Sequence, residues 1–257
     1  MKPFRFLQFN MQFGQVWDAA DPDNAPIDLE VAIAEMKRHD ADIITLQEVE
    51  RAQPGGAQID PPPNLARIRA ALPDYDCFFS YPRQDERELP FGIGLAILSR
   101  TPLTETERHE IPSPPVEFEF MGETKTPTDR LLIGARTQIG GREVTILNTH
   151  LLAFFMLRSS SGTHGSQRQQ IQDLLARAQG PTLLAGDFNV SAHAELVAQY
   201  GKVGFRTVQQ TEVTWLRRPY VLDHIFYNEG LHCVGHQVVP STASDHLPVV
   251  ADLSFVE

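Results

Sequence analysis

The sequence predicts a layered α/β protein with two packed sheets, and three observations carry that prediction. Strand-like and helix-like segments alternate from one end of the chain to the other. The apolar strand-like runs repeatedly end in acid, amide or histidine side chains. The proline- and glycine-rich stretches, Gln53 to Asn64, Ile111 to Val116 and Ser159 to Gly165, are short, as surface loops are, and no internal repeat is present.

Taken in order, Phe4 to Phe9 alternates as a strand does. Asp28 to Arg38 sets Leu29, Ile33 and Met36 at helical spacing behind Asp28, a capping residue. Asp42 to Leu46 is a short apolar strand, and Leu65 to Leu72 is helical. Gly92 to Leu98, Leu131 to Ile139 and Val144 to Asn148 read as strands, the last two joined by the hairpin signal Gly140-Gly141. Ser166 to Gln179 is helical, with Ile171, Leu174, Leu175 and Ala178 on one face. Pro181 to Ala185, Val221 to Tyr227, Leu231 to Val239 and Leu247 to Phe255 complete the strands.

A chain of 257 residues, 42% hydrophobic and 21% charged, can bury a core without covalent staples. Its two cysteines, Cys77 and Cys233, therefore need not pair, which suits a reducing compartment. The amino terminus has no apolar signal core, and no stretch approaches the ~18 apolar residues of a membrane span. The expectation is a soluble, cytoplasmic protein. The 22 Lys+Arg against 33 Asp+Glu give −11, which argues against a nonspecific grip on long DNA.

The positions of the polar residues point to chemistry. Asn10, Gln47-Glu48, Asn148-Thr149-His150 and Gly186-Asp187-Phe188-Asn189 each follow an apolar run. Asp223 and His224 interrupt another, and Ser244-Asp245-His246 precedes the last. If these ends converge, one pocket holds Glu48, Asp187, Asp223 and Asp245 with His150 and His246. Clustered carboxylates repel one another, and a divalent cation relieves them. Oxygen-rich sites favour Mg²⁺ or Mn²⁺ over zinc.

The pieces Phe9-Asn10, Gln47-Glu48-Val49, Asn148-Thr149-His150-Leu151, Gly186-Asp187-Phe188-Asn189, Leu222-Asp223-His224-Ile225-Phe226 and Ser244-Asp245-His246-Leu247-Pro248-Val249 occur in this order. In them the chain resembles the endonuclease/exonuclease/phosphatase superfamily, the group related to pancreatic deoxyribonuclease. The resemblance implies a four-layer sandwich of two mixed sheets flanked by helices, one domain over 1–257, and metal-dependent hydrolysis of phosphate esters. It also implies roles. Glu48 is the principal metal ligand and Asn10 assists it. His150 and Asn189 donate to phosphate oxygens. Asp187 activates or orients the attacking water. His246 faces the scissile phosphate with Asp245 on its other ring nitrogen, and Asp223 serves His150 in the same way. One departure stands out: many members carry Arg two residues before the strand aspartate, where this chain has Val221, with Arg217 and Arg218 just upstream.

Blander readings apply elsewhere. Ser244, Asp245 and His246 are adjacent in an extended segment, so they cannot form a hydrolytic triad. His232-Cys233-x-x-His236 reads as a solvated strand face rather than a zinc site. Leu151 to Leu157 is either core or an apolar rim of the substrate pocket, and at least Phe154 or Phe155 is expected on the rim. The favoured function is a phosphodiesterase or phosphatase on a small or lipid-like phosphate ester. A nuclease is the alternative and needs a basic groove, drawn from Arg83, Arg87, Arg130, Arg158, Arg168, Arg217 and Arg218. A noncatalytic binding module ranks last, since all the motifs keep their reactive residues.

Overall fold

Alternating apolar runs, a capped first helix and a glycine hairpin build the following elements in a computed structural model that describes residues 2–256. Met1 and Glu257, the ends of the expected 1–257 domain, lie outside the described residues. The first half contains β1 (Phe4–Asn10), α1 (Leu29–His39), β2 (Ile43–Arg51), α2 (Pro63–Ala71), β3 (Asp76–Ser80), β4 (Gly92–Ser99), β5 (Thr104–Ile111), and the short strands β6 (Phe118–Phe120) and β7 (Glu123–Lys125). The second half contains β8 (Arg130–Ile139), β9 (Arg142–His150), α3 (Ser166–Leu175), β10 (Thr182–Asp187), α4 (His193–Gly201), β11 (Arg206–Thr207), β12 (Asp223–Tyr227), β13 (Leu231–Val238) and β14 (Val249–Phe255).

Local chemistry explains several boundaries. The Asp28 carboxylate accepts from the Glu30 N–H and caps α1. Gly140 and Gly141 both have positive φ, as a two-residue turn between β8 and β9 requires. β12 begins at Asp223, where the N–H groups of Leu222 and Asp223 both donate to the Thr214 hydroxyl.

Two six-stranded sheets result, in the orders β13-β14-β1-β2-β4-β3 and β11-β12-β10-β9-β8-β5, with β6 and β7 forming a separate hairpin. Each large sheet is antiparallel except for one inner pair, β1 with β2 and β9 with β10. Phe6, Ile97, Leu131, Ile146, Leu183, Ile225 and Leu253 pack between the sheets. The other face of the first sheet carries α1 and α2 through Leu29, Ile33, Met36, Leu65 and Ile68. The other face of the second carries α3 and α4 through Ile171, Leu175, Leu196 and Tyr200. The layers therefore run helix, sheet, sheet, helix, as the resemblance implied.

Periodicity did not predict β3, β5 or α4. β5 reads Thr-Glu-Thr-Glu-Arg-His-Glu-Ile and lies mostly exposed at a sheet edge, so it has no buried face to betray it. α3 stops at Leu175, short of the expected Gln179. In β13 a bulge after Cys233 breaks strict alternation, and His232 and His236 are both exposed. His236 faces Glu212 at 3.0 Å, consistent with a solvated face.

Candidate active site

Strand register brings the polar run-ends together. In the first sheet Asn10 pairs with Gln47, one residue before Glu48. In the second, Asp187 pairs with His150 on one side and Asp223 on the other. The carboxyl ends of both parallel pairs thus meet at one end of the sandwich. A rigid sheet aims the ligands there, and the loops leave room for substrate.

Two glycines permit the geometry. β2 slips its register between Gln47 and Glu50, and Glu48 inside this bulge has φ 52°. A bulge re-aims a side chain, and here it turns the Glu48 carboxylate inward. A Cβ on Gly92 would stand 2.1 Å from Glu48 Oε2, so only glycine fits opposite. Gly186, with φ 155°, lets β10 approach the carbonyl of Thr149, which a Cβ would meet at 2.1 Å.

Asp187 is at the centre. Its Oδ2 accepts from Asn10 Nδ2 at 3.1 Å and lies 3.5 Å from His150 Nε2 and 3.6 Å from His246 Nε2. Its Oδ1 accepts from the Asn189 N–H at 3.0 Å. Asn10 Nδ2 also donates to Glu48 Oε1 at 3.0 Å, and His150 Nε2 is 3.8 Å from the same oxygen. Both imidazoles therefore face a common point beside Asp187 at distances longer than a good hydrogen bond. Asn189 is in the left-handed region at φ 50°, which Asn tolerates, and its side-chain amide donates to the Leu151 carbonyl at 3.1 Å. The second N–H of that amide can still donate elsewhere.

The structure corrects two of the expected pairings. Asp223, not Asp245, holds His246: Asp223 Oδ2 is 2.8 Å from His246 Nδ1. Asp245 lies in a bend just before His246, and its carboxylate turns to other partners. Asp245 Oδ2 instead accepts from Trp215 Nε1 at 3.2 Å and Arg217 Nε at 2.6 Å. His150 has no Asp223 contact and faces Glu48 and Asp187 directly.

A buried polar network underlies the site. Gln47 Nε2 donates to Asn148 Oδ1 at 2.6 Å and so joins the two sheets. Gln8 exchanges amide hydrogen bonds with Gln47 and reaches Asp223 Oδ1 at 3.3 Å. Gln8 was not singled out in the sequence. Its only signal is an amide in an apolar strand two residues before Asn10. Arg130 lines the same cleft as His150 and Gly92, and its Nε is buried without a hydrogen-bond partner among the described residues.

Of the run after His150, Leu151, Leu152 and Phe154 are buried. Phe154 stacks on His164 at 5.3 Å, so it is core and not rim. Phe155 is half-buried and meets Trp215 at 5.5 Å and Tyr220 at 5.3 Å; Trp215 is itself 6.2 Å from His246.

Charge is concentrated here. Burial pushes the Glu48 carboxyl up to about 7, with Asp245 adding to the rise against the Asn10 hydrogen bond. Burial, with Asp223 and Glu48 nearby, pushes Asp187 up to about 8 against the opposing charge of His246. Burial, together with Arg130 and His246, holds His150 well below the ordinary imidazole range. Burial alone would also lower His246, but the charges of Asp223 and Asp187 and the Asp223 hydrogen bond outweigh it and hold it well above that range.

Such carboxylates carry negative charge that a hard cation would stabilise. Glu48, His150 and Asp187 offer ligand atoms all within 4.8 Å of one another, as do Asp187, Asp223 and His246. The second set already satisfies itself through the His246–Asp223 hydrogen bond. The first fits a divalent cation better; Asn10 faces it with its Nδ2 donor edge, while its Oδ1 accepts from the Gln12 N–H, so it is placed to orient Glu48 and Asp187 rather than to ligate.

Residues 7–246 match the sequence profile of the Endonuclease/Exonuclease/phosphatase family. The chain spans about two fifths of the length of the curated relatives it matches. A UPF0294 protein of Yersinia pseudotuberculosis is 31% identical over 120 residues, 44% of this chain and 43% of that one. Among solved structures, an endonuclease/exonuclease/phosphatase from Beutenbergia cavernae superposes with TM-score 0.72 at 20% identity, over 99% of this chain and 72% of that one. A mannosyl-6-phosphatase of Bacteroides thetaiotaomicron superposes with TM-score 0.70 at 18% identity, over 98% of this chain and 100% of that one. The site geometry and the profile lead to one conclusion: the chain belongs to the Endonuclease/Exonuclease/phosphatase family.

Proposed function

We propose that the protein is a Mg²⁺- or Mn²⁺-dependent phosphodiesterase or phosphatase acting on a small or lipid-like phosphate ester, through a site contained in a single domain. The observation that carries this is the convergence of Glu48, Asn10, Asp187, His150 and the His246–Asp223 pair on one point. Glu48 would hold the cation, and Asn10 assists by orienting the Glu48 and Asp187 carboxylates through its Nδ2. When bound, it supplies charge neutralisation to the phosphate oxygens. Asp187 sits where it orients water and accepts its proton. His150 and Asn189 donate to phosphate oxygens. His246, kept charged by Asp223, neutralises charge that develops at the phosphate, and Asp245 shapes the turn that presents it. Arg130 supplies a second fixed positive charge at the cleft.

Two features support the substrate class. Three of the seven arginines named for a nucleic-acid groove have partners within the protein or are buried: Arg87 pairs with Asp85 at the surface, Arg217 pairs with Asp245 and Asp23, and Arg168 is buried. The aromatic group of Phe155, Trp215 and Tyr220 beside His246 offers a wall for an apolar portion of substrate. A panel of phospholipid, inositol phosphate, bis(4-nitrophenyl) phosphate and DNA, each with Mn²⁺, tests the reading. Turnover of a non-nucleic-acid ester is expected, and exclusive cleavage of DNA would overturn the substrate class.

A further inference from the structure

Asp245 is buried, yet it is not the carboxylate behind His246. A buried carboxylate needs a partner, and here it has two: the Trp215 indole N–H and the Arg217 guanidinium. The other edge of that guanidinium is also occupied. Arg217 Nη1 meets Asp23 Oδ1 at 2.5 Å and Nη2 donates to the Pro22 carbonyl at 3.2 Å, over the Trp17 ring at 6.0 Å. Every nitrogen of Arg217 thus has a partner within the protein, so it does not replace the missing arginine at Val221 as a substrate contact.

The backbone around Arg217 grips both halves of the imidazole–carboxylate pair. The Leu216 N–H donates to the Asp245 carbonyl at 2.8 Å, and the Leu247 N–H donates to the Thr214 carbonyl at 2.7 Å, so Trp215 bridges His246 as a one-residue strand. The Thr214 hydroxyl accepts from the N–H groups of Leu222 and Asp223 at 2.9 and 3.0 Å. One short segment therefore sets the spacing between Asp223 and His246, and the Arg217–Asp245 ion pair fastens it from the side.

We infer that Arg217 is a positioning residue for the His246–Asp223 pair, acting through Asp245, and that it ties this pair to the loop carrying Trp17 and Asp23. The inference rests on the phosphoesterase reading for its kinetic test only. Loss of the guanidinium leaves Asp245 buried with only the Trp215 N–H and no charge partner, and the turn carrying His246 shifts to relieve it. A displacement of about 1 Å at a reacting group costs on the order of 100-fold in rate.

The test uses the full chain. In hydrolysis of bis(4-nitrophenyl) phosphate with Mn²⁺, Arg217→Ala should lower kcat about 100-fold with KM little changed. Arg217→Lys should recover part of the loss, and Asp23→Ala, at an exposed partner, should stay within about threefold of wild type, as surface pairs do. In an Asp245→Asn background, Arg217→Ala should add little, because residues acting as one unit are not additive. Independently of activity, the His246 Nδ1–H resonance should move in Arg217→Ala and Arg217→Lys but not in Asp23→Ala. If Arg217→Ala does not fold, the Lys variant carries both readouts. A folded Arg217 variant with wild-type kcat, or with an unmoved His246 resonance, overturns the inference. An inactive wild type would instead overturn the phosphoesterase reading and leave the resonance test standing.

Discussion

A glutamate in the left-handed region opposite a glycine ties the candidate cation site to two backbone positions, Glu48 and Gly92. Gly92→Ala puts a methyl group where Glu48 Oε2 lies. Cation affinity should fall by ~10–100-fold, the range for disturbed supporting residues. Titration calorimetry with Mn²⁺ checks this, and unchanged affinity would remove Glu48 from the site. The corrected pairing of His246 makes a second prediction. Asp223→Asn should lower kcat by ~100-fold or more, the scale of lost acid–base or electrostatic support. Combined with His246→Ala, it should add almost nothing, whereas combined with His150→Ala the losses should compound. Additivity with His246 and not with His150 would restore the pairing first expected from the motifs. That expectation failed for a geometric reason: Asp245 is next to His246 in sequence, but in the bend before it the carboxylate is taken by Trp215 and Arg217, and Asp223, the antiparallel partner of Asp187, arrives beside the ring.

At the scale of elements, the run after His150 divides into core and rim. Phe154 is 2% exposed and Phe155 is half-buried. Phe154→Ala should cost about 3–5 kcal/mol of stability, as buried aromatic truncations do. Phe155→Ala should change stability little and raise KM for an ester with an apolar group. Denaturant melts and steady-state kinetics on both variants separate them; equal stability losses would make the whole run core. Elements with a buried face or a glycine turn, such as α1, the β8–β9 hairpin and β14, were legible because period and punctuation act locally. β5 was not, because an exposed edge strand has no apolar period, and neither was α4, which follows the Asp187 motif with only Leu196 and Tyr200 fully buried. The extent of β2 past Glu48 was hidden for a different reason: a bulge breaks the alternation that would reveal it.

For the whole molecule, the site's charge sets how stability varies with pH. In the cation-free protein Glu48 stands at about 7 and Asp187 at about 8, above their ordinary values. Both then bind protons more tightly folded than unfolded, so their contribution is present at low pH and is lost as pH rises towards 8. His246, also raised, acts in the same direction and loses its contribution as pH rises through its folded value. His150 is held low, and burial pushes His224 down to about 4; both oppose this trend only below their ordinary 6.5. Between about pH 6.5 and 8.5 the melting temperature of the cation-free protein should therefore fall. Mn²⁺ should restore it more at the upper end than at the lower. A flat profile, indifferent to Mn²⁺, would contradict the charge cluster. The site's members were legible because each follows or interrupts an apolar run. Its supports were not: Gln8, Thr214, Trp215 and Arg217 act through contacts made only when distant segments meet.

The proposed hydrolysis of phosphate esters depends on a cation held by Glu48. Turnover of bis(4-nitrophenyl) phosphate should appear with Mn²⁺ or Mg²⁺, vanish on exhaustive chelation, return when the cation is restored, and be nearly absent in a folded Glu48→Gln protein. Full turnover after chelation, or wild-type turnover by Glu48→Gln, would contradict it.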